Sequence, residues 1–292
     1  MILCSLLLLI LLLLFPEAAL AGSKYGVALW LSELLPTLLP FFIAIYLFQE
    51  SMPKASAHRA TLLLGLLCGY PTGAALVTEQ YKRGLLSPQK AYFYLGFVNN
   101  PSPMFILAFC GTNVLHMNYR ETLLLFILVV LAGFLGSCLC SLLFYHCSFP
   151  APLSFLSEEV VQKSKQTISK RIDTIILRSF ILMVKIGGYV ILFSILGQLL
   201  TPFIPLQSSS GIICLGTLEI TCGISYLKIA PIALAQKKVL TAILLTFGGL
   251  SAAAQTSSVL TQSELSIIPY VINKFVNAVI AGILGYLLFC IF

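Results

Sequence analysis

Gly69-Tyr70-Pro71-Thr72-Gly73-Ala74 and Phe97-Val98-Asn99-Asn100-Pro101-Ser102-Pro103 interrupt an otherwise apolar chain. A second pair, Glu219-Ile220-Thr221-Cys222-Gly223 and the run Phe247-Gly248-Gly249-Leu250-Ser251 through Gln255-Thr256-Ser257, does so again. Gly69 lies 28 residues before Phe97 and Glu219 lies 28 before Phe247, so the two pairs are offset by 150 residues. Non-helical backbone at membrane depth is tolerated only where protein buries it or where it lines a wet cavity. Two interruptions in each half of a membrane chain are the pattern of a transporter core.

The membrane assignment rests on composition. Of 292 residues, 59% are hydrophobic and 9% charged, and mean hydropathy is +1.01. Several apolar runs are long enough to span a bilayer. The formal charge of +7 is not a nucleic-acid signal, because the basic residues sit between apolar segments, as at Lys82, Arg83 and Lys90. That placement suits loops facing anionic lipid. Nine cysteines lie mostly in apolar context and read as small buried side chains. Cys138 and Cys140, two positions apart on a helix, do not face one way and make a poor metal pair. No Walker A loop, dinucleotide fingerprint or HExxH is present, and no enzyme chemistry, cofactor or metal is expected.

The expected fold is an all-α polytopic membrane protein. Full spans are predicted at 2–16, 28–49, 91–111, 122–145, 174–200, 239–260 and 268–291, with re-entrant hairpins at 61–80 and 208–227. This divides the chain into an N-terminal span and loop at 1–24, a first membrane repeat at 25–148, a cytoplasmic linker at 149–172 and a second repeat at 173–292. Pro71 opposes a straight helix, while Gly69 and Gly73 permit a reversal; a kinked full span at 61–78 is the competing reading. Met1–Phe15 is read as the first span, with Ala19-Leu20-Ala21 resembling a cleavage site that lacks a basic flank. Ser154 to Glu159 is read as the start of a short helix in the linker. An odd number of crossings between the repeats inverts the second relative to the first. Lys54, Arg59, Lys82, Arg83, Lys90, Lys163, Lys165, Lys170 and Arg171 then share the inside, whereas Lys228, Lys237 and Lys238 fall outside, against the bias.

Candidate site residues follow from polarity at the interruptions. Asn99, Asn100 and Ser102, with Pro101 and Pro103 preventing regular helix, offer donors and acceptors to a polar solute; an extramembrane turn is the alternative. Gln255, Thr256 and Ser257 beside Gly248 and Gly249 form the matching cluster, or else a helix-packing seam. Glu219, next to Gly223, is expensive in an apolar segment unless paired, protonated or hydrated, and suits ion or proton coupling. Lys185 shares a helix face with Arg178 and is deep enough to need a partner. Lys274 and Asn273 occupy the last span, as basic lining or as anchors. Glu33, near the entry, is read as facing headgroup water, with a gate as the alternative.

Gly65 to Ala74, Phe97 to Pro103 and Leu218 to Gly223 resemble the sporulation integral membrane protein YlbJ family, also called SpoVV, which contains the nucleoside-recognition, or Gate, module. The resemblance spans about residues 25–290. It implies a late sporulation role in moving dipicolinic acid across the outer forespore membrane, and a fold similar to concentrative nucleoside transporters. Under that reading Tyr70 packs against the pyridine ring, and Thr72, Asn99, Asn100, Ser102, Lys185, Gln255, Thr256 and Ser257 bind a small anion. Sodium or proton coupling at Glu219, an uncoupled path and a homo-oligomer all stay open. A carrier of nucleosides or other small anions, and a non-transporting component of a sporulation membrane complex, are the alternatives. Lipid is the only other partner expected.

Overall fold

The computed structural model describes residues 2–51, 63–144, 168–205, 207–261 and 263–291. These residues form helices and turns, with no strand among them. In chain order the helices are α1 (Ile2–Leu14), α2 (Pro16–Leu29), α3 (Leu35–Ser51), α4 (described over 63–68), α5 (Thr72–Lys82), α6 (Pro88–Val98) and α7 (Tyr119–Leu143). Then come α8 (Ile168–Leu200), α9 (Ser209–Leu218), α10 (Ile220–Leu227), α11 (Leu234–Phe247), α12 (Gly249–Leu260) and α13 (Ile267–Tyr286). Wide π-helical turns occupy Trp30–Leu34 and Phe105–Val114. The expected short helix near Ser154, most of the linker, and the basic residues Lys54, Arg59, Lys163 and Lys165 lie outside the described residues.

Among the described residues five helices are long and apolar enough to cross a membrane: Pro16–Phe48, Tyr119–Leu143, Lys170–Phe203, Leu234–Leu260 and Ile267–Ile291. The chain is a multi-pass integral membrane protein. The expected tally of seven long spans needs correction at three places. The span predicted at 2–16 is the short helix α1, 13 residues from Ile2 to Leu14, and is not among the five. The loop predicted at 17–27 is helical, and α2 runs through the turn at Trp30–Leu34 into α3. Leu35 N–H reaches back to Trp30 O, a wider step that accommodates Pro36, which has no N–H of its own. The chain instead bends at Phe15 (φ −125°, ψ 59°), ahead of Pro16 at the start of α2. The run predicted at 91–111 is divided between α6 and Phe105–Val114.

Small residues set the helix contacts, as expected where lipid removes the hydrophobic drive between helices. Gly22 and Gly26 of α2 meet α8 so closely that a Cβ on Gly22 would fall 2.7 Å from Ile195 Cα. One turn on, Trp30 covers Gly187 and donates its indole N–H to Met183 O at 2.9 Å. The two helices therefore run antiparallel. The opposite surface of α7 presents Leu124, Ile127, Leu131, Leu135, Leu139 and Leu142 outward in one stripe, a face suited to lipid.

Helix directions put Lys82, Arg83, Lys90, Lys170 and Arg171 at one end of the bundle and Arg120, Lys228 and Lys237 at the other. Lys238, apparently misplaced by charge bias, is neutralised there. It donates to Glu121 Oε1 at 2.6 Å, and Glu121 also closes a capping box with Asn118 at the start of α7.

Candidate functional site

The four interruptions converge. α4 and α5 fold back at Gly69, whose φ of +71° favours glycine; a Cβ there would sit 2.6 Å from Ser102 N. Tyr70 N–H donates to Asn100 O at 3.1 Å. The first fold-back thus touches the first break with its tip. In the other half, α9 and α10 fold back at Glu219, an extended residue (φ −145°, ψ 117°). Their glycines touch: a Cβ on Gly223 would lie 2.3 Å from Gly216 Cα. The break between α11 and α12 is made by two successive left-handed glycines, Gly248 (φ +85°) and Gly249 (φ +78°). Gly249 lies against the second fold-back, with Gly216 O 3.1 Å from its ideal Cβ.

Asn99 ties the halves together. Its Oδ1 accepts from Ala74 N–H at 3.0 Å. Its Nδ2 donates to Thr256 Oγ1 at 2.9 Å and to the Tyr270 hydroxyl at 3.1 Å. Asn99 therefore spends its polar atoms on the fold-back behind α5, on α12 and on α13. Asn100 turns the other way: its Nδ2 donates to Phe97 O at 2.7 Å, and its Oδ1 accepts from Lys274 Nζ at 2.6 Å.

Between the fold-back tips lies a cavity of about 40 Å³. Tyr70, Pro101 and Ser102 line it from one half, and Glu219, Thr221 and Gln255 from the other; Leu34, Leu38, Phe42, Ile186 and Val190 complete an apolar wall. Glu219 is 4% exposed, which a carboxylate sustains only with hydrogen-bond partners. Cys222 N–H donates to its Oε2 at 2.7 Å, capping α10, and the Thr221 hydroxyl donates to Oε1 at 3.1 Å. Gln255 Oε1 is buried and meets no hydrogen-bond partner among the described residues. The cavity has room for a water or a small ion.

A second, larger cavity of about 450 Å³ is lined by Tyr25, Ser32, Glu33, Asn113, Tyr226 and Lys228 among others. Glu33 accepts a hydrogen bond from Asn113 Nδ2, so it faces this vestibule rather than headgroup water alone. Leu34 and Phe105 line the central cavity and Phe109 the larger one; the two phenyl rings stack with centroids 5.0 Å apart.

The chain is 22% identical to the sporulation integral membrane protein YlbJ of Bacillus subtilis (strain 168), over 94% of this chain and 78% of that protein. The likeness to YlbJ runs over nearly the whole chain. No family model matches it, and no solved structure does. A membrane role in sporulation fits the YlbJ relationship.

Within this YlbJ-like chain the expected site residues separate into groups. Tyr70, Ser102, Gln255 and Glu219 line the central cavity. Asn99 and Thr256 lie behind it in one hydrogen-bond network, and Asn100 belongs to the Lys274 cluster. Thr72 and Ser257 do not line the cavity. Lys185 is exposed and donates to Ser258 Oγ at 3.0 Å, away from Glu219 and Tyr70. Thr221, Tyr270 and Asn277 were not among the expected site residues, and Lys274, read as basic lining or an anchor, lines no cavity but fills the first break. Tyr270, Lys274 and Asn277 recur at helical spacing in an apolar span, a signal of a shared face, and the fold alone shows that this face meets the first break.

Proposed function

We propose that the chain is a secondary carrier that moves a small polar solute across a sporulation membrane by alternating access. Dipicolinic acid at the outer forespore membrane is the solute that the family resemblance implies. One observation carries the reading: both fold-back tips and the first helix break line a single cavity, and the second break packs against both tips, with ideal Cβ positions on Gly249 and Gly248 3.1 Å from Gly216 O and 3.8 Å from the Tyr70 ring. A continuous helical bundle has no reason to bring two pairs of broken backbone segments together, whereas a carrier needs such a site between repeats.

Element directions support an inverted pair. α2 and α3 run opposite to α8, the first fold-back starts from the end where Lys82 lies, and the second starts from the end where Lys228 lies. α4 and α5 would then be one re-entrant hairpin and α9 and α10 the other, the architecture expected of a Gate-type module. The vestibule at Glu33 and Lys228 is the open side of this state. Leu34, Phe105 and Phe109 are the barrier, and repacking of the fold-back tips would enlarge the central cavity and open the opposite side.

Electrostatics constrain the mechanism. A dianion beside an ionised Glu219 in a dry cavity is strongly repelled. Binding of dipicolinate and ionisation of Glu219 therefore exclude one another. Loading Glu219 with a proton or a monovalent cation before the anion binds would couple their movement. A second reading, a carrier of nucleosides, is favoured by the acceptors Glu219 and Gln255 Oε1, which suit the hydroxyl donors of a neutral ribose.

Purified protein in liposomes tests these readings. Saturable uptake of dipicolinate, accelerated by an inward proton or sodium gradient, is expected. Nucleoside uptake without dipicolinate uptake transfers the assignment to the second reading. Absence of both in correctly folded protein leaves a non-transporting component of a membrane complex and defeats the carrier.

A further inference from the structure

Lys274 is buried at the first helix break, 2% exposed, and makes no ion pair among the described residues. A buried ammonium without a carboxylate is costly and needs oxygen dipoles instead. Two are present: Asn100 Oδ1 at 2.6 Å and Gly96 O at 3.4 Å. Gly96 is in the last turn of α6, where carbonyls lack helical partners and the helix end carries partial negative charge. The Tyr270 ring face adds its quadrupole, 5.6 Å from Nζ to the centroid.

The surroundings are built for this arrangement. A Cβ on Gly96 would fall 2.3 Å from the Asn273 side chain, and one on Gly136 would fall 2.0 Å from Asn277 Oδ1. Glycines thus let α13 approach α6 and α7. Asn277 Nδ2 donates to the same Gly96 O at 3.1 Å. Ser137 Oγ fixes Asn273 at 3.2 Å. Asn100 is held by Phe97 O so that its oxygen, not its amide nitrogen, faces the ammonium. Lys274 does not line the central cavity, so its charge is directed at the break and not at a solute there.

Carbonyl and amide oxygens at the end of a broken half-helix are the groups with which carriers hold a coupling cation. We infer that the Lys274 ammonium is a tethered internal cation occupying the place of a coupling alkali ion at the first break, so that this half of the protein needs no sodium or potassium. Lys274 is then a positioning residue: it acts through Asn100 and Gly96 on the backbone that Tyr70 and Ser102 share. Glu219 is left as the exchangeable charged site. The inference rests on the carrier reading for its meaning in transport, but its test does not use a transported solute.

The test is the melting temperature of purified protein in sodium, potassium, methylammonium or N-methylglucamine chloride at equal ionic strength. E219Q is the background, so that the carboxylate offers no cation site. With Lys274 intact, Tm is expected to be the same in all four salts. K274A in that background vacates the oxygen set, and sodium or methylammonium should raise its Tm by about 2 °C or more over N-methylglucamine. A sodium-dependent rise in E219Q alone overturns the inference, as does a folded K274A variant indifferent to every small cation. Should K274A unfold on purification, methylammonium present throughout supplies the deciding arm. Folding only in its presence supports the tethered cation, and unfolding there as well overturns it. Absent uptake in liposomes with the expected Tm pattern would defeat the carrier and leave the cation site standing.

Discussion

Glu219 performs two tasks with one side chain, and substitutions separate them. Its Oε2 caps α10 through Cys222 N–H, while the carboxylate also faces the central cavity. Glutamine keeps an acceptor for the cap and removes the charge. Glu219→Gln should therefore fold with near-native Tm, while uptake loses its dependence on a proton or cation gradient. An unchanged gradient dependence in liposomes would remove Glu219 from coupling. Glu219→Ala loses the cap as well and should cost a further ~1 kcal/mol of stability. Asn99 behaves differently, because its three hydrogen bonds are all structural. Removing it strands buried donors and acceptors on α5, α12 and α13. Asn99→Ala should lower stability by about 2–4 kcal/mol, read as a fall in Tm, before any effect on solute affinity is measured.

At the scale of elements, the fold-backs depend on glycine for close approach. Gly223 packs onto Gly216 with no space for a methyl group, and the neighbour is backbone, which cannot rotate away. Gly223→Ala should splay α9 from α10 and cost roughly 1–3 kcal/mol through overpacking. The check is a lower Tm with unchanged helical circular dichroism. Gly84 is the control: its Cβ would meet nothing within 4 Å, so Gly84→Ala carries only the strain of a positive φ. These reversals were legible as sequence, since Gly, Pro and polar residues punctuate apolar runs there. The continuous helix from Pro16 to Phe48 was not. Pro36 and Pro40 are helix-breaking residues, yet the wide turn at Trp30–Leu34 absorbs the first of them and the second lies inside α3, a backbone adjustment with no marker in composition.

Across the whole molecule, the inverted reading sets a clear topological expectation. Gln89 and Ile229 are both exposed and lie at opposite ends of the bundle. With the native cysteines replaced, Gln89→Cys and Ile229→Cys in sealed vesicles should react with an impermeant thiol reagent from opposite faces. Labelling of both from one face would break the inverted arrangement. At the Lys228 end one of the lysines that fall against the charge bias, Lys238, is neutralised by Glu121, a partner 117 residues away in sequence.

By itself the sequence determined that this is an all-helical membrane protein with four interruptions in two matched pairs, because hydropathy and helix-breaking residues act locally along the chain. It also singled out Glu219 and the Asn99–Ser102 break, since polar groups among apolar neighbours need a reason. The tertiary structure decided which of these polar groups face a cavity and which satisfy one another. Asn99 and Thr256 pair across 157 residues, Lys185 stands apart, and Lys274 fills the first break. Such partnerships depend on helices far apart in sequence approaching through glycine faces, and no local pattern encodes the distance between them.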